Sequence, residues 1–166
     1  LSLSYRGMVI AHIGLAITVT GVAMTANYDI ERDVRMQAGD EVDIGPYHFI
    51  FEGVKEVEGP NYMATRGIVS VTKGGSDVAV LTPEKRRYYV RRDVMTEAAI
   101  DAGFSRDLYV ALGEPLDDGS WAVRIYFKPF MRWVWGGGVV MALGGFVAMS
   151  DRRYRIKVKQ KVTGAA

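Results

Sequence analysis

One histidine, His12, stands inside an apolar run with no acidic or basic side chain, Gly7 to Ala26, read GMVIAHIGLAITVTGVAMTA. An imidazole in such a run is expensive in lipid and normally turns toward a protein or water-lined interior, where a partner compensates it. It can share a proton in a hydrogen bond, or it can ligate a metal, typically haem iron, while its other ring nitrogen is held by a hydrogen bond. Gly7, Ala11, Gly14, Thr18, Gly21 and Thr25 recur every three or four residues around it. They make a stripe of small residues that lets a neighbouring helix come close, and His12 sits about one residue, or ~100°, round from that stripe. One histidine fills one axial position, so a haem bound here takes its second ligand from outside the chain. A histidine hydrogen-bonded to a neighbouring helix, with no cofactor, needs the same residue types, and both readings stand on this chemistry.

Other candidates carry less. His48 falls in an alternating segment, Tyr47 to Phe51, and reads as a strand residue half open to water rather than a ligand. Lys85-Arg86-Arg87 and Arg91-Arg92 flank Tyr88-Tyr89 as a basic patch. Arginines pair bidentately with carboxylates, so the patch suits haem propionates or an acidic partner, but a solvated sheet face is the favoured account. Arg6 and Arg132 border the apolar runs and anchor them. Tyr126, Phe130, Trp133 and Trp135 form an interfacial aromatic belt, and Gly136-Gly137-Gly138 with Gly144-Gly145 read as close helix packing.

The chain has no cysteine. Disulfides, thiolate metal ligands and a C-x-x-C-H haem attachment site of its own are therefore excluded. There is no phosphate loop, no zinc-protease H-E-x-x-H and no G-x-S-x-G elbow. No self-contained catalytic constellation is visible.

The elements that position these residues follow from hydropathy and charge. Gly7 to Ala26 is long enough to cross ~30 Å of hydrocarbon as a helix. A second run, Phe130 to Met149, is interrupted only by Arg132, which can snorkel to the interface. After it come six basic groups against one acid between Asp151 and Lys161, which marks that side as cytoplasmic. Two spans then place residues 1–6 on the cytoplasmic side too, and residues 27–129 outside. The stretch from Asp29 to Arg132 holds 18 acids and 14 bases, so the small net positive charge belongs to the tail at 150–166 and implies no nucleic-acid partner.

Residues 27–129 read as a β-rich domain. Glu41 to Ile44 alternates, Gly45-Pro46 turns, and Tyr47 to Phe51 continues; Ile68 to Thr72 and Val78 to Leu81 form a hairpin about Gly74-Gly75. Arg87 to Val90, Asp107 to Leu112 and Trp121 to Phe127 add strands. Thr96 to Gly103 predicts a short helix, capped by Met95 or Thr96 and closed by Gly103. Asn27 to Met36 and Lys128-Pro129 read as the joints. The expected fold is two transmembrane helices carrying a small sandwich or partly open barrel of about seven strands.

Many of these segments resemble, in collinear order, the CcmF/CycK/NrfE family of cytochrome c-type biogenesis proteins. The resemblance rests on Met8 to Ala16 with its histidine, Pro83-Glu84-Lys85-Arg86, Met95 to Asp101, Arg106 to Glu114, Trp121-Ala122-Val123-Arg124, Lys128-Pro129-Phe130, Arg132-Trp133, Ala142-Leu143-Gly144-Gly145 and Asp151-Arg152-Arg153-Tyr154. It implies a multi-pass protein of the bacterial inner membrane, part of a haem lyase that joins haem to apocytochrome c outside the cytoplasm. It also implies a haem b held between two membrane histidines, with His12 matching one. Partners implied are the haem chaperone CcmE, CcmH/CcmI-type apocytochrome-handling proteins, apocytochrome c, and the remaining N-terminal part of the same polypeptide. A chain that begins at Leu1 rather than Met accords with a piece of a longer protein. The family's tryptophan-rich haem-handling motif and its two extracytoplasmic histidines are not among these residues. Trp133-Val134-Trp135 does not replace the motif and His48 matches neither histidine, so thioether formation is expected elsewhere. A cofactor-free membrane-anchored assembly module and a haem b electron-transfer subunit are the alternatives.

Overall fold

The computed structural model describes residues 2–90 and 93–151. They fall into two compact units, one holding the two helices and the other Tyr28–Pro129. Arg91, Arg92 and the basic tail from Arg152 onward lie outside the described residues.

In the helical unit, α1 is Leu3–Tyr28 and α2 is Met131–Met149. At 1.5 Å per residue they measure about 39 and 28 Å, each enough to cross a bilayer core, and both are largely exposed along their apolar sides. The first turn of α1 leaves backbone N–H groups without helical partners. Ser2 Oγ accepts from Tyr5 N at 3.2 Å, and Asp151 Oδ2 accepts from Ser4 N at 3.0 Å. A carboxylate at that end also suits the positive pole of the helix. The start of α2 is set by Phe130, whose φ of 55° turns the chain from strand to helix.

The second unit is a β-sandwich. Its strands are β1 (Ile30–Met36), β2 (Glu41–Ile44), β3 (Tyr47–Glu58), β4 (Tyr62–Lys73), β5 (Ser76–Leu81), β6 (Glu84–Tyr88), β7 (Val94–Glu97), β8 (Ala99–Ala102), β9 (Arg106–Pro115) and β10 (Trp121–Pro129). One sheet has the order β1-β10-β9-β8 and the other β2-β3-β4-β6-β7, with β5 also on β4; all pairings are antiparallel. Alternation selects the inner faces. Tyr47, Phe49 and Phe51 on β3, Val69 and Val71 on β4, Leu108, Val110 and Leu112 on β9, and Val123 and Ile125 on β10 fill one core.

Three expectations need correction. The segment Thr96 to Gly103 is not a helix: β7 pairs with β6, β8 pairs with β9, and the chain crosses between the sheets at Ala98. The Glu-Ala-Ala run favours a helix locally, but two open sheet edges supply the backbone partners and win. Asn27 to Met36 is no mere joint, since Ile30–Met36 is an edge strand in full register with β10. The expected strand total of about seven is ten among the described residues. Two come from the mistaken helix and one from that joint.

Candidate functional site

His12 is placed by how α1 meets α2. The two helices run antiparallel with backbones in contact at glycines spaced seven apart, Gly7, Gly14 and Gly21 on α1 and Gly137 and Gly144 on α2, all buried. A Cβ added at Gly14 would lie 2.5 Å from Met141 N and 2.7 Å from Gly137 O. One added at Gly137 would lie 2.6 Å from Gly14 O. Thr18 Oγ1 donates to Val134 O at 3.4 Å across the same seam. Such proximity is available only without side chains, and it trades apolar burial for backbone contact. Gly136, Gly138 and Gly145 do not take part, contrary to the sequence reading: a Cβ at any of them meets no atom within 4 Å. They sit ~100° off the seam.

His12 lies roughly 140–180° round α1 from the three seam glycines, because each residue advances the helix by ~100°. Its side chain is exposed, on the face away from α2. Nδ1 stands 2.8 Å from Met8 O one turn earlier. A carbonyl oxygen only accepts, so Nδ1 is the donor of this bond, and in the neutral imidazole Nε2 then keeps its lone pair. The arrangement is an imidazole with fixed tautomer and a free donor nitrogen on an apolar, unclad helix face. That donor set fits one axial position of a haem iron. Among the described residues no group of three histidines or carboxylates is placed to hold a metal ion.

His48 has a different setting. On β3, opposite β2, its Nδ1 lies 2.6 Å from Asp43 Oδ1 and its Nε2 3.0 Å from Glu41 Oε2. The Asp43 hydrogen bond, with Glu41 adding to it, holds its pKa above the ordinary histidine value. Both nitrogens are engaged as donors in the charged form, so no lone pair remains for iron. The hairpin spacing, with positions 41, 43 and 48 on one sheet face, carried this signal in the sequence.

The basic patch is largely spent inside the fold. Lys85 pairs with Glu114, and its Nζ donates to Gly113 O at 3.2 Å. Arg86 Nε donates to Glu84 Oε2 at 2.8 Å, stacks 4.7 Å over the Tyr62 ring, and reaches Glu97 at 3.5 Å. Arg66 Nε donates to the other Glu84 oxygen at 2.5 Å. Burial pushes the Glu84 carboxyl up, yet Arg86 and Arg66 outweigh it and hold it below the usual carboxylate range. This Arg–Glu–Arg cluster, with its carboxylate buried and its guanidiniums half-buried, was not read from the sequence, because Arg66 and Glu84 meet only through the β4–β6 register. Arg87 is exposed.

The outer face of the β10–β9 pair carries a depression of about 570 Å³, floored by the small residues Ala111, Gly113 and Ala122. Its rim arginines are taken: Arg35 by Asp118, and Arg124 by Asp33, with Nη2 to Oδ2 at 2.9 Å.

A model of the family described as "CcmF C-terminal beta-sandwich" matches residues 27–129. The chain is 54% identical over 99% of its length to the cytochrome c-type biogenesis protein CcmF of Pseudomonas aeruginosa. It is 54% identical over 96% to the protein of that name from Escherichia coli K12. It spans about a quarter of either relative, 25% of each. A solved structure titled "Cytochrome c Heme Lyase CcmF" matches with a TM-score of 0.73 at 16% identity, covering 89% of this chain and 25% of that one. At that identity the likeness speaks to the fold.

Proposed function

The chain belongs to the CcmF C-terminal β-sandwich family, and on that premise we propose that it supplies two membrane spans, one haem b ligand and an extracytoplasmic sandwich to a haem lyase for c-type cytochromes. The observation that carries the reading is His12, with Nδ1 held by Met8 O and Nε2 open on the face of α1 that α2 leaves bare. Met8 O fixes the ring, Nε2 provides the lone pair, and the glycine seam keeps α2 on the far side. Bound there, a haem supplies a one-electron couple within the membrane. A second haem ligand would come from outside this chain, since α2 neither carries a histidine nor faces His12.

On this reading the protein is a multi-pass component of the bacterial inner membrane with its sandwich in the periplasm. The charge excess at 152–161, a sequence feature, sets the orientation. Covalent attachment of haem to apocytochrome c, with delivery by CcmE and presentation by CcmH/CcmI-type proteins, is work of the whole polypeptide. The sandwich supports it structurally, because its one histidine is engaged and its basic residues at 85 and 86 are paired.

The test is His12→Ala in the whole polypeptide. Alanine suits a span better than histidine, so insertion should be unchanged while the b-type visible spectrum is lost or strongly weakened. A variant with a normal spectrum and midpoint potential sinks the assignment.

A further inference from the structure

The inner face of the sheet built on β3, β4 and β6 changes character partway along. Phe49 and Phe51 on β3 and Val69 and Val71 on β4 point to the core. The β3–β4 register shifts between Phe51 and Gly53, which leaves Glu52 as the extra residue of a bulge. Past it Gly67 still faces inward, since a Cβ there would lie 3.6 Å from Leu112 Cδ1 of the opposite sheet. Alternation then sets Glu56, Thr65 and Lys85 in one inward row and Glu58, Met63, Arg87 and Val94 in the next. Sandwich strands ordinarily turn apolar side chains inward. Here Glu56, Glu58, Lys85 and Arg87 stand in their place.

A cleft of about 480 Å³ opens at these rows, with Met63, Val94, Pro115 and Trp121 as its apolar walls. That volume lies within the ~300–1,000 Å³ of ligand sites. The charges that line it are unequally used. Lys85 pairs with Glu114 and donates to Gly113 O. Glu56 Oε1 accepts from Thr65 Oγ1 at 2.7 Å. Arg87 has no such engagement: among the described residues no carboxylate or carbonyl takes a hydrogen bond from its guanidinium.

We propose that this cleft binds a polypeptide segment that presents one acidic side chain beside an apolar one. The carboxylate meets Arg87, and the apolar neighbour packs against Met63, Val94 and Trp121. Arginine takes a carboxylate in two parallel hydrogen bonds, and apolar walls strengthen such a pair by lowering the local dielectric. The lining crosses β3, β4, β6 and β7 from Glu56 to Val94. At ~4.8 Å per strand that is about 14 Å, the length of about four extended residues, which fits a stretch of chain better than a free acid. Glu56 at the β3 end repels a second carboxylate. The stretch from Asp29 to Arg132, with 18 acids against 14 bases, repels polyanions in general, so a single acid is selected. Nothing at this cleft depends on His12 or on haem.

The test titrates the full chain, in dodecyl maltoside, into the amidated peptide Leu-Glu-Leu-Ser carrying tetramethylrhodamine at its N-terminus, read by fluorescence anisotropy. The Leu-Gln-Leu-Ser counterpart should bind about 5–10-fold more weakly, a charged contact discounted for partial exposure. Arg87→Gln should remove that difference. Val94→Glu sets an acid opposite Arg87 across the β6–β7 pair and should remove it too, with the fold kept, since opposite charges across strands stabilise a sheet. Arg32→Gln, at an exposed arginine of β1 that does not line the cleft, should change nothing. Equal binding of both peptides, or of neither, overturns the site. A loss in Arg32→Gln as large as in Arg87→Gln reduces it to general charge attraction and overturns it as well. Displacement of the peptide by an equal concentration of butyrate overturns the polypeptide as occupant.

Discussion

Glu84→Gln should destabilise the sandwich without changing its shape. The carboxyl is 7% exposed and takes hydrogen bonds from two guanidiniums, Arg66 at 2.5 Å and Arg86 at 2.8 Å. Removing one member of a fully buried ion cluster costs about 3–5 kcal/mol, because the remaining charge is left uncompensated. Here the arginines keep 32% and 27% of their side-chain surface, so water recovers part of that loss. A charged hydrogen bond at about 1.5–3 kcal/mol is the better guide, giving a net cost of about 2–3 kcal/mol. For a domain of this size, that lowers the melting midpoint by about 10–15 °C. The assay is a thermal melt of the full chain in detergent, followed by near-ultraviolet dichroism at several pH values. Because the folded carboxyl sits below its usual range, its contribution is present above the unfolded carboxylate pKa and fades as pH falls through the folded value. The wild-type advantage over Glu84→Gln should shrink on that acid limb. A midpoint within 3 °C of wild type at neutral pH, or an unchanged gap on acidification, refutes the reasoning.

Gly137→Ala should disrupt the helix pair by about 1–3 kcal/mol through overpacking on Gly14 O and Thr18 N. Gly136→Ala meets nothing and should be neutral or slightly favourable, and thermal melts of the two variants in one detergent compare them directly. Asp43→Asn should lower the His48 pKa more than Glu41→Gln does, read by NMR titration of the ring, since the Asp43 hydrogen bond is the larger cause of its rise. A histidine whose folded pKa is raised adds stability below its unfolded pKa and loses it as pH climbs through the folded one, so wild type should lose its margin over His48→Gln as pH climbs past the ordinary histidine value. A reporter active only outside the cytoplasm should work when fused after Thr72 and fail after Lys161; the opposite result would reverse the topology.

The legible parts of the fold are those decided by local pattern. Tyr47-Phe49-Phe51 and Val69-Val71 alternate because one sheet face is buried, and Gly74-Gly75, at φ of 56° and 81°, give the β4–β5 turn the left-handed backbone it needs. What escaped is decided by partners far away in sequence. β1 reads as a polar joint because four of its seven residues are charged, with only Ile30, Val34 and Met36 on the core; its strand identity comes from β10, some ninety residues later. Thr96 to Gly103 has helical composition, yet Thr96-Glu97 joins a strand on β6 and Ala99–Ala102 a strand on β9, because those two edges are free. The basic patch looked available for carboxylates, since nothing local announces that Arg86 is spent on Glu84 and that Lys85 is spent on Glu114.

His12 and the small-residue stripe were both visible in the sequence, but their relation required the second helix. A stripe repeating every three or four residues leaves its centre uncertain by ~100°, and Ala11 alone would put the seam beside the histidine. Contact with α2 resolves it to the glycines spaced seven apart, the repeat that keeps a seam between supercoiled helices. Fixing the seam there turns His12 outward. A small bare seam also has a functional consequence: α2 needs little of the circumference of α1, so the apolar side chains and the imidazole remain available to whatever packs on the other side. Larger seam residues would bury more surface and hold the pair more firmly, yet they would push α2 away and widen the covered sector of α1. The glycines thus do for His12 what a loop cannot in lipid: they hold the imidazole on a rigid, fully hydrogen-bonded backbone while keeping its face open.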